Sequence, residues 1–270
     1  MSSFFIPYGH SRFHGVITGK GPQLLICLHG FGESAAHFNC LEEELGNIFT
    51  IVSLNMPFHG ETEWKEQRDF DKDDLEALVK KILERQGKQN FSLMGYSMGG
   101  RLALCIVEKM ADRIENLLLA APDGLKNNPW HMLVTQTRWG NRLFKHTTYH
   151  PAFFFRLLTL SNRFGLINQS VYKFAFFSMD KLEKRELVYT VWTSLRRMMP
   201  NKRRCKKLIA THKIDTLMFF GKFDRVIPPS LGYHFSDGSF PCKIIVLNKG
   251  HQLLSESLGA IIKNNIKTER

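Results

Sequence analysis

The segment between residues 91 and 110 constrains this chain more than any other part of it. A short apolar run, Phe91–Met94, leads directly into Gly95-Tyr96-Ser97-Met98-Gly99-Gly100, and helical spacing follows. A Gly-x-Ser-x-Gly turn between a strand and a helix strains the serine backbone, and its glycines let strand and helix approach closely. The pattern predicts an exposed Ser97 hydroxyl at a helix N-terminus, where backbone amides favour negative charge. The alternative is a glycine-rich turn with an incidental serine.

The chain around this turn alternates short apolar runs with amphipathic stretches. Such alternation predicts an α/β fold, a mostly parallel sheet with helices on both faces, here preceded by an antiparallel hairpin. The predicted strands are residues 4–6, 13–18, 24–28, 49–54, 91–94, 117–121, 216–220 and 243–247. The predicted helices of this part are residues 35–45, 73–85, 98–110 and 253–264.

The middle of the chain differs from the rest in composition and in predicted secondary structure. After Pro122-Asp123-Gly124, helical stretches rich in aromatic and basic residues run to about residue 213. A part that alternates strands and helices thus comes both before and after a purely helical middle. This arrangement predicts one α/β core, residues 1–124 and 208–270, with an inserted helical cap at residues 125–207. A chain of 270 residues is long enough for such a core and insertion.

The net charge of +12 is concentrated in the predicted cap. Residues 125–207 contain 17 Lys and Arg and three acidic residues, whereas the remainder contains 20 Lys and Arg and 22 acidic residues. A basic cap would attract an anionic part of a substrate or a phospholipid surface, so peripheral membrane contact is one hypothesis and a solvated helix face is the other. No recognition motif accompanies the charge, and we expect no nucleic-acid partner.

The five cysteines are scattered and never form a Cys-x-x-Cys pair. They predict neither a disulfide framework nor a zinc site, and they fit a reducing compartment. The first 13 residues lack the charged and apolar regions of a signal peptide, and no stretch approaches about 18 uninterrupted apolar residues. We therefore expect a soluble, cytoplasmic protein.

A serine hydroxyl is a weak nucleophile at neutral pH and needs a base that a third group orients. His251 is the candidate base, because it follows an apolar run at a position where a strand end presents its side chain to the carboxyl edge of the sheet. Asp224 also lies just past a predicted strand and is the candidate acid. Asp123 is the rival acid, although its proline and glycine neighbours favour a turn.

Four segments together resemble the α/β-hydrolase superfamily: His29-Gly30-Phe31-Gly32, the turn at Ser97, Gly221-Lys222-Phe223-Asp224 and Gly250-His251. The resemblance covers the chain except the cap. It implies an eight-stranded sheet, a triad of Ser97, Asp224 and His251 at its carboxyl edge, and a helical insertion after the sixth strand. It also implies an oxyanion hole, for which the N–H groups of Phe31 and Met98 are the candidates.

The turn is also similar to that of the menaquinone-pathway lyase 2-succinyl-6-hydroxy-2,4-cyclohexadiene-1-carboxylate synthase. In that family the tyrosine and arginine of the turn bind a carboxylated substrate, so the resemblance makes Tyr96 and Arg101 candidates for substrate contact. An arginine in a first helical turn is as often a salt-bridged structural residue.

The function we expect is that of a serine hydrolase, which cleaves a carboxylic ester or related acyl substrate through an acyl-enzyme. The aromatic residues of the cap indicate a small-molecule substrate with an apolar portion. We expect no metal and no organic cofactor. Two alternatives stay open: a C–C hydrolase or lyase that uses the same triad on a carboxylated substrate, and a non-catalytic binding protein that uses the basic cap.

Overall fold

Eight strands form one sheet in the part of the chain that the computed structural model describes, residues 1–167 and 169–266. The strands are β1 (Ser2–Tyr8), β2 (Ser11–Thr18), β3 (Gln23–Leu28), β4 (Phe49–Leu54), β5 (Phe91–Tyr96), β6 (Ile114–Ala120), β7 (Asp215–Gly221) and β8 (Cys242–Leu247). Their order across the sheet is β1-β2-β4-β3-β5-β6-β7-β8.

Only the N-terminal edge of the sheet is antiparallel. Strands β1 and β2 form a hairpin, β2 pairs antiparallel with β4, and all later neighbours are parallel. Parallel neighbours point their carboxyl ends to the same edge, so the loops after β3, β5, β7 and β8 meet there. The predicted fold class, a mostly parallel eight-stranded α/β sheet, is confirmed.

The helices between and after the strands follow the predicted alternation. They are α1 (Glu42–Leu45), α2 (Lys72–Gln86), α3 (Met98–Met110), α4 (Pro129–Gln136), α5 (Arg138–Tyr149), α6 (Ala152–Arg163), α7 (Gln169–Met179), α8 (Leu182–Ser194), α9 (Lys202–Thr211), α10 (Pro229–Ser236) and α11 (Glu256–Lys263). Two 3-10 segments, Ala35–Leu41 and Ala111–Arg113, precede α1 and β6. Among the described residues, no helix combines the length and the apolar character that crossing a membrane requires.

The central strands are buried on both faces. All six residues of β5 are buried, as are five of the six in β3, which explains their continuous apolar runs. The hairpin is tied to α2 by Asp74, whose carboxylate accepts hydrogen bonds from Tyr8 Oη at 2.5 Å and from Arg68 Nη1 at 2.6 Å. These contacts fix the edge hairpin of the sheet against α2.

The chain divides into two compact units, residues 1–126 with 198–270, and residues 127–197. The second unit holds α4 to α8. Inside it Arg185 is buried and donates from Nε to Thr148 O at 2.7 Å and from Nη1 to Met179 O at 2.9 Å. Since free carbonyls lie at helix C-termini, this one guanidinium joins the ends of α5 and α7.

Helix α9 belongs to the first unit, whereas the prediction assigned residues 198–207 to the cap. The side chains of Cys205 and Ile209 are buried, and Cys205 Sγ lies 3.4 Å from Leu104 O on α3. The Glu108 carboxylate, also on α3, accepts a hydrogen bond from Asn201 N at the start of α9. The charged face of α9 made it look like the basic cap, but its apolar side packs on a helix of the sheet unit. Of the predicted cap, residues 125–207, the second compact unit holds residues 127–197, and that they act as a cap stays a prediction.

Candidate active site

Ser97 lies at the sharp turn between β5 and α3. Its backbone has φ 52° and ψ −116°, a left-handed conformation that is strained for a residue with a side chain. Backbone hydrogen bonds hold it there: Ser97 N donates to Ala120 O at 3.0 Å, and Ser97 O accepts from Gly100 N at 2.9 Å and from Asp123 N at 2.8 Å. The turn therefore has the strained strand-to-helix geometry that the motif predicts.

The glycines of this turn are required by close contact. A Cβ on Gly99 would lie 1.9 Å from Leu28 O at the end of β3, and one on Gly95 would lie 2.4 Å from Gly99 O. Both contacts are with backbone atoms, which cannot move aside cheaply. The start of α3 is thus pressed against the end of β3.

The imidazole of His251 lies between Ser97 and Asp224. His251 Nε2 is 3.0 Å from Ser97 Oγ, and His251 Nδ1 is 2.7 Å from Asp224 Oδ2. Asp224 follows β7 and His251 follows β8, so the adjacent parallel strands bring them together across 27 residues. With a proton on Nδ1, Nε2 is free to accept the serine proton.

The carboxylate of Asp224 is held on its other side by the backbone. It is buried, and its Oδ1 accepts hydrogen bonds from Val226 N at 2.8 Å and Ile227 N at 2.9 Å. These bonds leave Oδ2 directed at the imidazole and fix the plane of the carboxylate.

Asp123, the rival acid, contacts Gly124 and Arg101 instead of His251. Its Oδ1 accepts from Gly124 N at 2.7 Å, and its Oδ2 lies 3.5 Å from Arg101 Nε. This is the turn geometry that its proline and glycine neighbours favour. The structure thus places Asp224, and not Asp123, against His251.

Tyr96 and Arg101, the predicted substrate contacts, both face protein groups. The Tyr96 side chain is buried, and its hydroxyl lies 3.2 Å from His251 O and 2.8 Å from Gln252 Oε1. Burial raises the pKa of this phenol well above its usual value. Arg101 is also buried, beside Asp123. That Tyr96 and Arg101 contact substrate stays a prediction.

Two residues near the triad, Gln252 and Glu33, are not among the residues predicted from the sequence. Gln252 Nε2 donates to Glu33 Oε1 at 3.2 Å, so the loop after β8 is linked to the loop after β3. Adjacency to His251 was a signal for Gln252, whereas no local pattern marks Glu33. Tyr96, Gln252 and Glu33 form one chain of hydrogen bonds next to the triad, which we call the support chain.

Two buried histidines hold the loop that carries Phe31. His29 Nε2 accepts from Met56 N at 2.9 Å and its Nδ1 lies 2.7 Å from Gly30 O, while His59 Nε2 accepts from Gly32 N at 3.0 Å. A ring nitrogen that accepts from an amide carries no proton, so both rings are neutral. Burial lowers the pKa of His29 to about 3 and also lowers the pKa of His59.

The amides of Phe31 and Met98 belong to segments that lie side by side. Phe31 follows β3, Met98 is the first residue of α3, and the close approach of Gly99 to Leu28 joins the two segments. Their role as an oxyanion hole stays a prediction. In the described part of the chain, no group of three or more His, Cys, Asp or Glu side chains is placed to hold a metal ion.

The chain belongs to the α/β hydrolase fold family, whose sequence model matches residues 23–257. The match spans the sheet from β3 to β8 and the three loops that carry Ser97, Asp224 and His251. The protein is therefore an enzyme, a hydrolase of the α/β fold.

Similar proteins include other hydrolases and esterases. The uncharacterized hydrolase YugF of Bacillus subtilis is 23% identical over 83% of this chain and 81% of its own. A pimeloyl-[acyl-carrier protein] methyl ester esterase of Nitrosomonas europaea is 29% identical over 41% of each chain. The structure of a thermophilic esterase from Thermogutta terrifontis is 18% identical, with a TM-score of 0.68 over 98% of this chain and 97% of that one.

Proposed function

We propose that this hydrolase cleaves a carboxylic ester or related acyl bond through a covalent intermediate on Ser97. The observation that carries the proposal is the position of the His251 imidazole, 3.0 Å from Ser97 Oγ and 2.7 Å from Asp224 Oδ2. A nucleophile, a base and an orienting acid within hydrogen-bond reach form the arrangement that acyl transfer uses.

In the first half of the reaction, His251 Nε2 takes the proton of Ser97 as Oγ attacks the carbonyl carbon. Asp224 holds the imidazole and stabilises the positive charge that forms on it. The oxyanion would be bound by the amides of Phe31 and Met98, and a donor of this kind typically contributes about 3–4 kcal/mol. His251 then protonates the leaving alcohol, and an acyl group remains on Ser97.

In the second half, His251 Nε2 deprotonates a water molecule, which attacks the acyl carbon. The tetrahedral intermediate collapses, the proton returns to Ser97 Oγ, and the carboxylic acid leaves. The residues named supply every proton transfer in this scheme, so it calls for no metal or organic cofactor.

The substrate we propose is a small molecule with an apolar acyl or alcohol portion. Esterases among the similar proteins support an ester, and the aromatic composition of residues 127–197 supports the apolar portion. The lyase alternative required Tyr96 and Arg101 to bind a carboxylated substrate. Their contacts with Gln252 and Asp123 favour the ester hydrolase instead.

The test is to trap the acyl-enzyme and to locate it. A fluorophosphonate should label Ser97, as read by peptide mass spectrometry, and p-nitrophenyl butyrate should give a burst of one p-nitrophenol per site. Ser97→Ala should abolish label and burst, and His251→Ala should lower both strongly with the circular dichroism spectrum unchanged. A label on another serine, or turnover that survives in both variants, would disprove the proposal.

A further inference from the structure

Helix α6 carries an apolar stripe on its exposed side. Phe153, Leu157, Leu160 and Phe164, the residue after the helix, are 75%, 53%, 40% and 73% exposed. Their spacings of four, three and four residues keep them within about 60° of one another around the helix. We call these four residues the α6 stripe.

The opposite side of α6 already has its packing partners. Helix α6 contacts α5 and α7, and the ring of Phe155 lies 5.2 Å from the ring of Phe176 on α7. Phe154, Phe155 and Leu158 on this side are each partly buried. The α6 stripe is therefore a second apolar surface, beyond the one that builds the unit.

Basic side chains flank the stripe. Arg156 and Arg163 are both exposed and seven residues apart, so they lie on the same flank of α6. The surrounding sequence is also positively charged, because residues 124–179 contain seven Lys and Arg and no Asp or Glu. The exposed Leu166 extends the apolar surface just beyond the helix.

We propose that the α6 stripe binds the surface of a membrane that contains anionic lipids, with α6 lying in the plane of the interface. Apolar side chains on one face with arginines beside them form the pattern of interfacial helices. Phe153, Leu157, Leu160 and Phe164 would enter the acyl boundary, and Arg156 and Arg163 would pair with lipid phosphates.

Charge argues for lipid over a second copy of the chain. An antiparallel twofold contact through the stripe would place Arg156 and Arg163 against the same arginines of the other copy, with no acidic residue between positions 124 and 179 to offset them. An anionic lipid surface instead matches both the apolar stripe and the positive flank. The α6 stripe belongs to residues 127–197 and Ser97 belongs to the other compact unit. The argument for lipid uses no property of Ser97, so the proposal does not depend on the proposed reaction.

The experiment is flotation of the full chain with vesicles of phosphatidylcholine and phosphatidylglycerol, and with vesicles of phosphatidylcholine alone. The protein should float with the anionic vesicles and weakly with the neutral ones. Phe153→Gln with Leu157→Gln, and Arg156→Gln with Arg163→Gln, should each lower the vesicle partition coefficient about tenfold or more. Circular dichroism and melting temperature confirm that each variant is folded.

The matched control removes the same charge elsewhere. Arg203→Gln with Lys207→Gln changes two exposed residues of α9 in the sheet unit, and it should leave the partition coefficient within about threefold of the starting protein. Equal losses in the α6 and α9 variants would show attraction by net charge alone and would overturn the proposal. No flotation, with a dimer that Phe153→Gln and Leu157→Gln dissociate, would instead assign the stripe to a second copy and also overturn it.

Discussion

The hydroxyl of Tyr96 donates a hydrogen bond to Gln252 Oε1 at 2.8 Å, which ties the residue before Ser97 to the residue after His251. Gln252 in turn donates to Glu33 in the loop after β3. The loops that carry the proposed nucleophile, base and oxyanion donors are thus joined by side chains that do not themselves reach the reacting atoms. We therefore expect Tyr96 to position these loops.

Tyr96→Phe should lower kcat because it keeps the buried ring and removes the bond to Gln252. One hydrogen bond of about 0.5–1.5 kcal/mol corresponds to a loss of about twofold to twelvefold. KM should stay unchanged, because the hydroxyl faces protein. Steady-state kinetics on a p-nitrophenyl ester measures both constants.

Tyr8→Phe is the control for that prediction. It removes the hydroxyl of the hairpin strand β1 that bonds Asp74 on α2, so it should lower the free energy of unfolding and leave kcat unchanged. Equal kcat losses in the two variants would indicate a general effect of stability. An increase in KM for Tyr96→Phe would point to substrate contact.

Asp224→Asn should lower kcat by about 10⁴-fold, because an amide in place of the carboxylate no longer holds the tautomer in which Nε2 is the base. Asp123→Asn should retain activity within a few fold, since Asp123 bonds Gly124 and lies beside Arg101. Pre-steady-state kinetics of both variants is the measurement. The reverse ranking would make Asp123 the acid.

Gly99→Ala should destabilise the protein by about 2–3 kcal/mol or more, because the added methyl group meets Leu28 O and must push α3 away from β3. Activity should fall with stability, since the displacement moves Ser97 and Met98. Gly250→Ala is the control for folding, because a Cβ there meets no described heavy atom within 4 Å. Urea unfolding compares the variants, and an unaffected Gly99→Ala would refute the close contact.

The neutral His29 should make the protein less stable in acid. Its pKa is lowered to about 3 in the folded state, so between the unfolded value of about 6.5 and 3 only the unfolded chain binds the proton. The free energy of unfolding should therefore fall by up to about 1.4 kcal/mol per pH unit in this window, and His59 acts in the same direction.

Urea unfolding between about pH 7.5 and pH 5 measures that slope. His29→Gln can still accept the Met56 amide but does not titrate, so it should flatten the slope. His10→Gln, at an exposed position, should leave it unchanged. A slope that is the same in all three proteins would contradict a buried neutral His29.

The sequence by itself determined the features that local backbone chemistry controls. Glycines and an apolar run around Ser97 favour a strand, a tight turn and a helix, and β5 and α3 lie where that pattern predicts. Alternating runs predicted the parallel sheet, because a strand buried on both faces must be apolar throughout. The same reasoning placed Asp224 and His251 at the ends of neighbouring strands.

Only the tertiary structure decided which side chains meet across the chain. Gln252 and Glu33 are 219 residues apart, and Asn201 bonds Glu108 across 93 residues, which assigns α9 to the sheet unit. Tyr96 and Arg101 are both buried, and their contacts with Gln252 and Asp123 depend on how distant segments pack. A residue's type sets what it can bind, but its nearest partner depends on packing between segments, which no short stretch of sequence contains.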